Sequence, residues 1–153
     1  MIPTIGAKIR DLQTPTQKMS KSTDNPKASV FLADPEKTIR KKIMSAVTDS
    51  DGVIRFDEDE KPGVSNLLTI YSVFTGCSIE DAVAKFEGGG YGDLKKGVAD
   101  AVVEKVIPFQ DKYNEVLNSG MINDILDAGR DYTNEIAREK YELVRKAVGF
   151  GRV

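Results

Sequence analysis

The chain has 153 residues, a formal net charge of −2 and 40% hydrophobic residues. These values predict one globular domain, with room for at most a small part of a second. It has no histidine and a single cysteine, Cys77, which excludes Ser-His and Cys-His catalysis, the common zinc ligand sets and an internal disulfide. No apolar run is long enough to span a bilayer and no signal-peptide pattern is present, so we predict no membrane partner and a cytoplasmic location. The slight negative charge argues against a protein that coats nucleic acid indiscriminately.

Residues 1–33 differ in pattern from the rest of the chain. Residues 7–12 and 28–32 are predicted as short strands on either side of a loop rich in threonine, proline, lysine and serine. So small a segment buries little apolar surface alone. We therefore expect it to be the edge of a larger domain, mobile or irregularly packed without its partners.

The loop carries the most informative motif, KMSKS. Its two lysines, three residues apart, supply mobile positive charges, and its serines add hydroxyl donors, which together suit the phosphates of a nucleotide. The same residue types also fit an ordinary lysine- and serine-rich surface turn. The candidate residues for binding nucleotide phosphates are Lys18, Met19, Ser20, Lys21 and Ser22.

From Asp34 onward the pattern is helical. Asp34 is predicted as the N-cap of a first helix, which residues 49–52 should end. A second helix, starting at or near Ser65, is too apolar for an exposed face and is expected to form the centre of the core.

Three further helices follow. Ser78 should cap a short one that ends near Phe86, and a long one should continue through Pro108 because its apolar stripe does. Gly120 should separate it from a last helix that stops at Gly149. The sum predicts an all-α fold: a helical bundle over residues 34–153 that carries a short β or loop stub.

Two other segments carry weaker signals. The acidic stretch 49–58 has part of a calcium-loop pattern, but Val47 stands where the first carboxylate is required, so a solvated connector is favoured. The glycine-rich stretch 88–92 follows a helix and lacks a lysine-hydroxyl pair, so it is predicted to be a tight turn.

The chain resembles the C-terminal part of the bacterial tryptophanyl-tRNA synthetase family of class I aminoacyl-tRNA synthetases. The resemblance begins with KMSKS, the second signature of that class, and one departure is Thr23-Asp24, where the family commonly has Asp-Pro. The matching stretches include residues 2–3, 6–9, 25–27, 38–39, 41–43, 45–50, 54–55, 61–63, 65–68, 70–72, 90–92 and 148–152.

This resemblance implies that Lys21, helped by Lys18, binds the pyrophosphate that leaves ATP when tryptophan is activated. ATP with Mg²⁺ as its counter-ion is then the cofactor, and tRNA(Trp) is the partner. Residues 1–33 would be the edge of a Rossmann-like catalytic domain and residues 34–153 an anticodon-binding domain. The parent enzyme would be a homodimer.

The family's HIGH-type motif and tryptophan pocket are not in this sequence. We therefore expect the chain to be part of a longer tryptophan–tRNA ligase, to need the missing N-terminal catalytic domain and to be inactive alone. The alternative is a stand-alone helical module that binds RNA or protein and keeps KMSKS as an inert turn.

Overall fold

Five α-helices dominate the computed structural model, which describes residues 8–150, and the predicted all-α class is confirmed. They are α1 (Glu36–Met44), α2 (Pro62–Thr75), α3 (Ile79–Phe86), α4 (Tyr91–Asn118) and α5 (Met121–Ala147). The chain divides into two compact units, Met1–Gln110 and Asp111–Val153, and α4 runs from the first into the second. The predicted domain boundary between residues 33 and 34 is a different division, and it stays a prediction.

Two helix starts differ from the sequence-based expectation. α1 begins at Glu36 after Pro35, and Asp34 is not its N-cap, because its carboxylate accepts hydrogen bonds from the Phe31 N–H and the Lys42 ammonium instead. α2 begins at Pro62, earlier than Ser65, since proline suits the first helical position, where no N–H donor is needed.

The other helix boundaries follow the sequence. The Ser78 hydroxyl accepts a hydrogen bond of 3.1 Å from the Asp81 N–H and caps α3 as predicted. α4 continues through Pro108, and Gly120 separates it from α5 with a positive φ of 79°, which glycine adopts without strain.

The core of the first unit forms around α2, most of whose residues are buried. Tyr71 of α2 and Phe86 of α3 meet edge to face, with ring centroids 5.0 Å apart. Further buried side chains come from α1 and α4: Ile39, Ile43, Leu94, Val98, Val102 and Val106. Within the described residues no single helix is long and apolar enough to cross a membrane, and α2 with α3 reach such a length and composition only as a pair bent by 111°.

The segment before α1 packs on this core. Leu12 and Ala28 are almost fully buried, and the Leu12 N–H donates to the Ala28 carbonyl at 2.9 Å. The Leu12 carbonyl in turn accepts from the Val47 N–H at 2.8 Å. The described part of this segment thus finds apolar and hydrogen-bonding partners within this chain, which we expected to be missing.

The predicted flanking strands reduce to one isolated β-bridge, between Arg10 and Lys18, and the described part of the chain contains no strand. The Asp11 carboxylate accepts hydrogen bonds from the N–H groups of Gln13 and Thr14, at 2.7 and 2.9 Å. This local turn satisfies the backbone and ends the extended conformation, so that no ladder continues.

The second unit carries the apolar stripe of α5, but none of the described α5 residues is buried. Tyr132 is 69% exposed, and Ile125 and Leu126 are also exposed. The periodicity correctly predicted the helix, and the apolar stripe that marks it is exposed in this chain.

Candidate phosphate-binding site

The KMSKS loop leaves the core at a fixed point. Besides the Arg10–Lys18 bridge, the Met19 N–H donates to the Ile9 carbonyl at 3.0 Å. Met19 is half-buried and lines an apolar cavity of about 220 Å³ together with Ile9, Val30 and Phe74. Because successive side chains of an extended segment point to opposite sides, burying Met19 leaves Lys18 in solvent.

The two serines of the motif hold the loop together. The Ser20 and Ser22 hydroxyl oxygens lie 3.0 Å apart, and the Ser22 N–H donates to the Ser20 hydroxyl at 3.3 Å. The Ala28 N–H, which donates to the Asn25 carbonyl at 3.0 Å, closes the returning part of the loop. These local bonds give the exposed turn a defined shape.

The motif's lysines are both exposed. Within residues 8–150, neither the Lys18 nor the Lys21 ammonium group makes an ion pair or a hydrogen bond to the protein. Each therefore keeps its donors for a ligand, and a cluster of two such charges favours a polyphosphate.

A buried side chain of α2 supports the start of the loop. The Asn66 side chain accepts from the Arg10 N–H at 2.8 Å and donates to the Arg10 carbonyl at 2.9 Å. Asn66 thus bonds the backbone of Arg10 as a neighbouring strand would. Arg10 is the residue that pairs with Lys18 in the β-bridge. Sequence reasoning assigned Asn66 no role, although a polar amide beside the apolar pair Leu67-Leu68 signals a buried hydrogen-bonding duty.

The acidic connector after α1 surrounds a lysine instead of being merely solvated. Lys61 is only 2% exposed, and its ammonium group contacts Asp49 at 3.0 Å, Asp51 and the Tyr91 hydroxyl. The Tyr91 hydroxyl also lies within hydrogen-bond distance of both carboxylates, which share its single proton. The described residues contain no group of three carboxylate, cysteine or histidine side chains that could hold a metal ion.

This cluster shifts the ionisation of its members. The Lys61 ammonium, followed by the Val53 N–H, holds the pKa of Asp51 well below its usual range. Burial alone would lower the pKa of Lys61, but its hydrogen bonds to Asp51, Tyr91 and Asp49 outweigh burial and raise it. All members stay charged or hydrogen-bonded at neutral pH, and together they tie the connector to the starts of α2 and α4.

Asp51→Asn should lower stability at pH 7 and weaken its dependence on pH in acid. Because the pKa of Asp51 is lower in the folded state, the unfolded state starts to bind more protons as pH falls through about 4. The stabilisation by Asp51 is then lost progressively as pH falls toward the lower pKa of the folded state. Urea unfolding between pH 7 and pH 2 measures this. Asp59→Asn is the control, because it removes a like charge from the same connector at a carboxylate that makes no hydrogen bond or ion pair within residues 8–150. Equal effects of the two substitutions would refute the assignment.

The glycine-rich stretch before α4 is a turn, as predicted. Gly88 has a positive φ of 77°, and the Gly90 N–H donates to the Asp93 carboxylate at 3.2 Å. Its backbone serves the start of α4, so the KMSKS loop remains the candidate phosphate site.

Comparisons with known protein sequences found a matching family and close relatives. Residues 3–106 match the family described as tRNA synthetases class I (W and Y). The tryptophan–tRNA ligases of Bacillus anthracis and Bacillus subtilis are 50% and 47% identical to this chain over 151 residues, which is 99% of the chain and 46% of each relative. The chain thus spans about half the length of the curated relatives it matches.

Solved structures agree as well. The crystal structure of tryptophanyl-tRNA synthetase from Mycoplasma pneumoniae superposes with a TM-score of 0.73 at 32% identity, over 97% of this chain and 45% of that one. The Campylobacter jejuni enzyme complexed with ADP and tryptophan gives 0.68 at 28% identity, over 94% and 44%. The family match covers two thirds of the chain, and the helices and the exposed lysine pair are consistent with it. The chain belongs to the class I tRNA synthetase family of the tryptophan and tyrosine enzymes.

Proposed function

We propose that this chain is the C-terminal part of a cytoplasmic tryptophan–tRNA ligase and that residues 18–22 bind the phosphates of ATP. The observation that carries the proposal is the exposed pair Lys18 and Lys21, without protein partners in the described residues, on a loop held at its base by the core. The identity of about 50% to tryptophan–tRNA ligases supports it.

In the proposed reaction, the tryptophan carboxylate attacks the α-phosphorus of ATP, and the bond to the β-phosphate oxygen breaks. Negative charge then grows on the departing pyrophosphate, where Lys21, helped by Lys18, stabilises it. Mg²⁺ would enter as the counter-ion of the ATP phosphates. The tryptophanyl group then passes to the 3′ end of tRNA(Trp), and AMP leaves.

The helices would supply the tRNA contacts. In the basic run of α1, Lys42 is buried and Arg40 pairs with Glu36 and Asp100, so Lys37 and Lys41 remain exposed. We propose that residues 34–153 recognise the anticodon and that the parent enzyme is a homodimer. Salt-sensitive binding of tRNA(Trp) by the chain would fit lysine contacts to phosphates.

A chimera tests the catalytic proposal. Residues 1–153 are joined to the part of the Bacillus anthracis ligase that precedes its matching region, and tryptophan-dependent exchange of pyrophosphate into ATP is measured. The chimera should catalyse exchange, while residues 1–153 alone should not. A folded chimera without exchange would overturn the proposal and favour a stand-alone binding module.

A further inference from the structure

Two successive hydrogen bonds connect α1 to the middle of the KMSKS motif. The Lys42 ammonium donates to the Ser29 carbonyl at 2.9 Å. The Ser29 hydroxyl donates to the Ser20 carbonyl at 2.8 Å. Lys42 and Ser29 are both buried, so the first bond is shielded from water and the second is shielded at its Ser29 end.

Residues 29–34 lead from the loop back to α1 and form its returning limb. All the polar contacts of the Lys42 ammonium in the described residues lie on this limb. Besides Ser29, it contacts the Asp34 carboxylate at 2.6 Å and lies 4.7 Å from the centre of the Phe31 ring. A buried ammonium group is costly unless it is paired and hydrogen-bonded. Its position is therefore fixed by this limb, and it fixes the limb against α1.

The other limb has its own support, since Asn66 of α2 holds both backbone groups of Arg10, which faces Lys18 in the β-bridge. The loop is thus attached to α1 on one side and to α2 on the other. The α1 attachment ends at the backbone carbonyl of Ser20, and Lys21 is the next residue along the chain.

We propose that Lys42 and Ser29 are positioning residues that determine where Lys21 lies. Neither reaches the proposed phosphates; each acts through the backbone of the motif. The catalytic meaning of this positioning rests on the proposed function, whereas the attachment itself concerns this chain alone.

A matched pair of serine substitutions tests the attachment. Ser29 and Ser72 are each 3% exposed, and each donates its hydroxyl to a backbone carbonyl, Ser72 to that of Cys77 at 2.6 Å. Ser29→Ala and Ser72→Ala therefore remove equivalent bonds, but only the first touches the loop.

In ¹⁵N NMR spectra of the 153-residue chain, Ser29→Ala should shift or broaden the amide signals of Ser20, Lys21 and Ser22. Ser72→Ala should leave these signals unchanged. Equal loop signals in the two variants would overturn the proposal.

Kinetics of the chimera provide a second readout. Ser29→Ala should lower kcat for pyrophosphate exchange by about ten-fold, because small displacements of a charge-stabilising group are costly, and should leave KM for tryptophan unchanged. Lys42→Arg should retain more activity than Lys42→Met. In an active chimera, equal kcat for Ser29→Ala and Ser72→Ala would refute the positioning role; an inactive unmodified chimera would refute the proposed function, and the NMR comparison would still decide the attachment.

Discussion

Lys21→Ala should lower kcat for pyrophosphate exchange in the chimera by on the order of 10²–10³-fold, the usual cost of removing one donor that stabilises transition-state charge. Lys21 is exposed and unpaired within the described residues, so its loss leaves no internal contact unsatisfied. The effect should therefore appear in catalysis and not in folding. KM for tryptophan should change little, since the substitution removes a contact to the leaving group.

Lys27→Ala is the matched control for this experiment. Lys27 is another exposed lysine of the same segment, outside the motif, and its removal changes the net charge equally. It should lower kcat less than twofold if position, and not overall charge, matters. Lys18→Ala should fall between the two, as expected for a helper. Indistinguishable rates for Lys21→Ala and Lys27→Ala would remove the catalytic role from the motif.

Gly63→Ala should destabilise the first unit by about 3 kcal/mol, the upper part of the usual range for overpacking. A Cβ atom at Gly63 would lie 2.1 Å from the Val47 carbonyl oxygen and 3.4 Å from the Thr48 Cα. Both are backbone atoms, so no side-chain rotation relieves the overlap. The Val47 N–H is also bonded to the Leu12 carbonyl at 2.8 Å, and a shift of Val47 would strain the segment that carries the loop.

Gly92→Ala is the control, because Gly92 is also the second residue of its helix and an added Cβ would meet nothing within 4 Å. Alanine is the better helix former by about 1 kcal/mol, so Gly92→Ala should leave stability unchanged or raise it. Urea unfolding of both variants at pH 7 measures the difference. A Gly63→Ala variant as stable as Gly92→Ala would show that the close approach of Val47 to α2 is absent in solution.

Much of the helical part could be predicted from the sequence because its signals are local. Ser78 stands three residues before Asp81, the spacing of an N-cap, and Gly120 lies between two long apolar stripes. Both mark helix ends that the structure confirms. The starts of α1 and α2 were misplaced for two different reasons. The Asp34 carboxylate bonds to Phe31 and Lys42 instead of capping α1. Pro62 begins α2 without needing a cap.

The family likewise follows from residues that can be read in order along the chain, above all KMSKS and the colinear stretches around it. What the periodicity could not decide is where an apolar stripe is buried. The stripe of α4 is buried only as far as Val106, and its continuation at Phe109 and Tyr113 is exposed, as are the apolar side chains of α5. Burial depends on a partner surface, whereas periodicity depends only on the helix itself.

By itself, the sequence determined the all-α class, most helix boundaries and the lysine motif, all of which depend on residues a few positions apart. Only the tertiary structure decided which polar side chains hold that motif. Asn66 reaches Arg10 across 56 positions, and Lys42 reaches Ser29 across 13. A lysine or asparagine on a helix is ordinarily solvated, and it is buried here because folding brings a backbone partner to it, which local patterns do not encode.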